Sequence, residues 1–139
     1  MTRNRFRDPT QEDIAAVLAA FEPLRASDAN LGHWVGGGEV EPGVLQMPWF
    51  ECSPTVRAWE RALYDRHIVC EYGEDGWHEH FAEIVENPAL LQSAGLTMIR
   101  KVLTTVVRGE RFSGGYIEAM FEAGVAQAAM ERLEELREG

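Results

Sequence analysis

A chain of 139 residues, 45% hydrophobic and 26% charged, is long enough to bury a core without disulfides and too apolar to stay disordered. Its formal charge of −10 offers no basic face to nucleic acid or to an anionic membrane, and no stretch approaches the roughly 20 apolar residues of a bilayer span. The expectation is one cytoplasmic domain over 1–139 with a frayed basic start over 1–8, Cys52 and Cys70 being free thiols.

Thr10 followed by Asp13 approximates a capping box, and Ile14, Val17, Leu18 and Phe21 recur at helical spacing. A first helix therefore opens after Pro9 and stops near Pro23 and Leu24. From Leu31 to Phe50 short apolar runs surround Gly36-Gly37-Gly38 and Glu41-Pro42-Gly43, and Leu45, Met47 and Trp49 alternate. This predicts a β-hairpin, His33 to Val35 with Val44 to Trp49, one face packed on helices and Pro48 at an edge or end.

Ser53-Pro54 is a cap followed by a proline at the first helical position, and Val56, Trp59 and Leu63 give the buried stripe of a helix ending near Arg66. Ile68, Val69 and Cys70 suggest a third strand, and Gly73-Glu74-Asp75-Gly76 turns the chain. Trp77, Phe81, Ile84 and Val85 resume helical spacing as far as Asn87-Pro88, which caps a brief helix ended by Gly95. The clearest element carries Ile99, Val102, Leu103, Val106 and Val107, with Arg100, Lys101 and Arg108 on other faces and Gly109 as its stop. Ser113 is then expected to cap a helix bearing Ile117, Met120 and Phe121. Gly124 ends it or packs closely, and a last helix carries Val125, Ala129, Met130 and Leu133. The fold class is mainly α (α+β): five to six helices packed against a small antiparallel β-hairpin or three-stranded sheet.

Charge is segregated along the chain. Between Arg25 and Arg57 stand Asp28, Glu39, Glu41 and Glu51 with no Lys or Arg, and between Arg66 and Arg100 stand Glu71, Glu74, Asp75, Glu79, Glu83 and Glu86, again unopposed. These account for the whole negative excess, so the two ends read as neutral, salt-bridged helices.

Several chemistries lack their residues. His78 and His80, two apart, point to different sides of a helix, and His33, Cys52, His67 and Cys70 form no paired zinc motif, so no metal and no cofactor is expected. The glycine run is followed by no Lys-Ser/Thr and no helix, which excludes a phosphate-binding loop. The Glu74-Asp75 loop is too short for a calcium-binding EF-hand. Cys52 and Ser53 carry no nucleophile signature, although a thiol before a helix start could feel the helix dipole. Arg108 and Arg111, between two strong helices, are the best candidates for holding a small anion.

Three stretches carry a resemblance: Gly32-His33-Trp34-Val35-Gly36-Gly37 with Gln46-Met47-Pro48, Trp59 to Tyr64 running into Val69, and Val107-Arg108-x-x-Arg111-Phe112 through Gly124-Val125. Together they resemble the bacterial and phage domain-of-unknown-function family 6508. The resemblance spans most of the chain and implies one compact domain without implying an activity. Glu71 to Trp77 departs from the Pro-Phe-x-Trp pattern of that family.

Charge segregation favours a non-enzymatic, acidic protein-interaction or inhibitor module with no catalytic residue. Glu39, Glu41, Glu71, Glu74, Asp75, Glu79, Glu83 and Glu86 would dock on a basic protein, and in a phage or mobile-element setting would occupy its nucleic-acid-binding surface. The alternative is a binding protein or enzyme for a small anionic ligand, with Trp34, Gln46, Arg108 and Arg111 around a pocket between the hairpin and the C-terminal helices. Met130 and Leu133 could offer a homodimer face.

Overall fold

The computed structural model describes residues 8–71 and 74–138; residues 1–7 of the expected frayed start 1–8 and Gly73 of the predicted turn lie outside the described residues, and Asp8 is ion-paired to Arg100 at 3.0 Å. It is mainly helical, in the order α1 (Gln11–Phe21), β1 (Gly32–Val35), β2 (Glu39–Glu41), β3 (Val44–Leu45), β4 (Trp49–Cys52), α2 (Pro54–Asp65), α3 (Trp77–Glu86), α4 (Leu96–Phe112), α5 (Tyr116–Glu122) and α6 (Val125–Glu138). Short 3-10 turns follow α1 at Glu22–Leu24 and α3 at Pro88–Ser93.

The local signals act where the residues place them. Thr10 and Asp13 close the full capping box of α1, the Asp13 N–H donating to Thr10 Oγ1 at 3.1 Å and the Thr10 N–H to Asp13 Oδ2 at 2.9 Å. Ser53 caps α2 by accepting from the Val56 N–H at 3.1 Å, with Pro54 at its first position. The apolar stripes of all six α-helices face one core. Phe21 of α1, Trp59 of α2 and Phe121 of α5 meet there, with ring centroids 5.5 to 6.0 Å apart. Around it α1 packs on α2 and α6, and α4 on α5 and α6.

The β region departs from the expected hairpin. β1 pairs antiparallel with β4, Gly32 opposite Cys52 and Val35 opposite Trp49, while β2 and β3 form a separate small ladder at the tip. Val44 to Trp49 is therefore not one strand. Gly36, Gly37 and Gly38 all take positive φ, and Pro48 has no N–H to donate, so the ladder breaks on both sides and resumes nearer the root. At Gly36 (φ 76) a Cβ would lie 2.6 Å from the Trp49 ring, which restricts the position to glycine twice over.

No third strand forms at Ile68 to Cys70. The segment is buried and its polar groups are taken elsewhere: the Ile68 and Val69 N–H groups reach back to the Leu63 carbonyl, Arg100 donates from Nε to the Ile68 carbonyl and from Nη2 to the His67 carbonyl, and Thr104 Oγ1 accepts the Cys70 N–H. Arg100, expected on a polar face, is consequently buried, with Nη1 3.0 Å from Asp8 Oδ1.

Two further expectations are corrected at the end of α4. The helix continues through Gly109 to Phe112, because Gly109 is a packing point, where a Cβ would lie 2.3 Å from the Tyr116 ring. Ser113 does not cap α5. The cap position is Gly115 (φ 86), and the cap is supplied by Glu110, whose Oε2 accepts from the Gly115 N–H and Oε1 from the Ile117 N–H, both at 2.9 Å. Met130 and Leu133, expected as a dimer face, are fully buried in the core.

Candidate functional site

The segment from β1 to β4 forms an arm whose surface is unusual in composition. Among the described residues, eight large hydrophobic side chains are exposed, and six of them, Trp34, Val40, Val44, Leu45, Met47 and Trp49, belong to this arm. Leu45 is 78% exposed and Met47 83%, so the face expected to pack on the helices faces solvent instead. Phe50, buried, anchors the root, with Trp34 edge-on to it at 5.4 Å between centroids. Trp34 also lies against Gly115, where a Cβ would stand 2.9 Å from the indole ring, so the arm is seated on the α4–α5 junction. Glu39, Glu41 and Glu51 are interspersed with the exposed apolar residues. Glu39 closes the tip, its Oε1 accepting from the Gly43 N–H. Glu51 accepts from Trp49 Nε1 at 3.3 Å and lies 3.9 Å from His33 Nε2.

The second acidic block is elsewhere and is not one patch. Glu79, Glu83 and Glu86 are exposed along α3, and Glu71 and Asp75 are exposed in the segment before it. Glu74 is taken by Lys101, whose ammonium also lies 5.9 Å from the centroid of the buried Trp77 ring. The eight predicted acids thus fall on two different elements, the arm tip and α3 with its approach.

At the root of the arm, Trp49 and Phe50, the polar side of α2 and the end of α4 border a cavity of about 520 Å³ that is broadly open to solvent. Arg57, Glu60 and Tyr64 form the α2 wall, and Glu110, Arg111 and Gly114 the opposite one. Arg57 Nη1 donates to Glu60 Oε1 at 3.1 Å, and that bond holds the guanidinium pKa above its ordinary value. Glu110 is engaged by the α5 amides. Arg111 lies over the Tyr64 ring at 5.5 Å, and among the described residues no carboxylate stands within ion-pair reach of it. Beside the cavity, burial pushes the Cys52 thiol up to about 11, with the Glu110 charge adding to the effect and Arg57 opposing it. Its position before α2 does not make it a thiolate. Burial, then the charges of Glu122 and Glu110, raises Glu118 as well.

Of the four residues expected around a pocket, the structure brings only Arg111 to this cavity. Trp34 lies at the junction, Gln46 is exposed beyond the break in the ladder, and Arg108 is half-buried one turn earlier on α4. The missed residues include Trp49, Arg57, Glu60, Tyr64 and Glu110. Arg57, Glu60 and Tyr64 have the i, i+3, i+7 spacing of one helix face, a signal that the apolar stripe of the same helix overshadowed. Among the described residues no group of three or more His, Cys, Asp or Glu could hold a metal ion, and no helix is long and apolar enough to cross a membrane.

A family model matches residues 9–139, that of a family of unknown function, DUF6508. No curated protein and no solved structure matches the chain.

Proposed function

The chain belongs to DUF6508, a family of unknown function, and we propose that it acts as a non-enzymatic protein-interaction module whose arm docks into an apolar cleft rimmed by Lys and Arg on a basic protein. The observation that carries this reading is the concentration of exposed apolar side chains on an arm with acids and no Lys or Arg. Apolar side chains left in water supply affinity when covered, and the surrounding charges select the partner and speed encounter. From residue 26 to residue 56 the chain has four acids and no Lys or Arg, which fits a basic partner and opposes pairing of two arms from two copies.

A nucleic-acid-binding groove is one such cleft. An occupant presenting carboxylates where phosphates would lie makes an inhibitor of it, and a cytoplasmic phage or mobile-element setting accords with that role. The α3 acids would add long-range attraction without contributing apolar contact.

The test compares three forms of the tagged chain in host extract at about 50 and 500 mM salt, bound proteins being quantified by mass spectrometry. Wild type should retain a basic protein at low salt. Leu45→Ser/Met47→Ser should lose it at least tenfold while keeping its circular dichroism and melting temperature, since both side chains face solvent. Glu79→Gln/Glu83→Gln/Glu86→Gln should reduce capture less. Capture lost only in the α3 variant would transfer docking to that helix, and capture indifferent to both variants and to salt would end the proposal.

A further inference from the structure

The cavity at the root of the arm is a separate feature from the exposed tip, and we infer that it is a binding site for a small monocarboxylate with a flat apolar body. Its volume of about 520 Å³ lies in the range of small-molecule sites. Three of the four charges inside it already have hydrogen-bond partners. Arg57 is hydrogen-bonded to Glu60, and the Glu110 carboxylate accepts two backbone N–H groups at the start of α5. Among the described residues the Arg111 guanidinium has no acidic partner, and it lies 5.5 Å from the centroid of the Tyr64 ring.

That balance specifies the ligand. A guanidinium over the face of an aromatic ring leaves its N–H edge for a planar carboxylate, with which it forms two parallel hydrogen bonds. A phosphate dianion would meet the same arginine but also the carboxylates of Glu60 and Glu110, so a single negative charge is favoured. Trp49, Phe50 and the bare backbone at Gly114 offer flat apolar surface, and the Tyr64 hydroxyl, buried and without a hydrogen-bond partner among the described residues, is a second donor on the α2 wall. A ring carrying one carboxylate satisfies both halves. The site does not depend on arm docking, since Leu45 and Met47 are not part of its lining.

The probes are benzoate, its neutral counterpart benzyl alcohol, and inorganic phosphate, titrated at low salt into the full chain and followed by calorimetry and by ¹H–¹⁵N spectra. Benzoate should bind saturably below about 10 mM, moving the Trp49 indole and Gly114 amide signals. Arg111→Gln should weaken it about tenfold or more, and Arg111→Lys should keep part of the affinity. Absence of saturable benzoate binding, equal binding of benzyl alcohol or of phosphate, shifts centred away from Trp49 and Gly114, or unchanged affinity in Arg111→Gln would each overturn the assignment. The spectra of wild type decide the location even if a variant fails to fold.

Discussion

His67 shows how a single residue can work against its own backbone. It ends α2 in a left-handed conformation (φ 62), with the Ile68 N–H reaching back to the Leu63 carbonyl and the His67 N–H to that of Tyr64. This double return is the Schellman closure, at whose left-handed position glycine is the usual residue because a Cβ is penalised there by about 1 kcal/mol. His67→Gly should therefore raise stability by about 0.5–1 kcal/mol, read as an upward shift of the urea midpoint with an unchanged slope. A lower midpoint would mean that the imidazole makes contacts worth more than the strain. Cys52 is a second case, in which position before a helix and actual environment disagree. With its pKa at about 11 against an ordinary 9.0, iodoacetamide should label it slowly at pH 8, the rate rising through pH 11. The linkage has a definite sign: the folded state holds the thiol proton where the unfolded chain has released it, so the contribution to stability is full below about pH 9 and is lost as pH rises towards 11. A labelling profile with its midpoint near 9 would contradict the burial that raises it.

At the scale of elements, the junction between α4 and α5 seats the arm and supplies one wall of the cavity. Gly109 lets the Tyr116 ring lie against the α4 backbone, Glu110 holds the first amides of α5, and Gly115 makes room for Trp34. Helix propensity alone would favour Gly109→Ala by about 1 kcal/mol. Packing opposes it, because the new methyl would overlap the Tyr116 ring and force the two helices apart. We expect a net loss of about 1–2 kcal/mol in chemical denaturation, accompanied by weaker seating of the arm and a change in Trp34 fluorescence. A stabilised variant would show that Tyr116 swings away without consequence. The arm itself illustrates why alternation is an ambiguous signal: Leu45, Met47 and Trp49 alternate as a half-buried strand should, yet the ladder that would bury one face is interrupted at Pro48 and at the three glycines.

For the whole molecule, the distribution of charge matters more than its sum. The helical ends are close to neutral and supply the core, while the negative excess lies on the arm and on α3 with its approach. Association through the arm should accordingly slow as salt rises, with dissociation little affected, because steering acts over a Debye length whereas apolar contact does not. Stopped-flow measurement with the captured partner checks this; a salt-independent association rate would remove charge from the account.

What the residues determined unaided was set mostly within about one helical turn, the stop expected at Gly109 and the cap expected at Ser113 being the exceptions. The Thr10 and Ser53 caps and the apolar stripes that make the class mainly helical rest on neighbours three or four positions apart, where spacing in sequence is spacing in space, and the family and the uneven charge are read from residue order alone. Tertiary structure decided the rest. Arg100 is buried because its partners at residues 67 and 68 are more than thirty positions away, and Ile68 to Cys70 is no strand because Arg100 and Thr104 take the groups a ladder would have used. Arg111 meets Tyr64, and Trp49 meets them both at one cavity, only after α2, α4 and β4 have packed. The exposure of Leu45 and Met47 is likewise a statement about where the helices are absent, which no local pattern encodes, since hydrophobicity marks a side chain as able to be buried and packing alone determines whether it is.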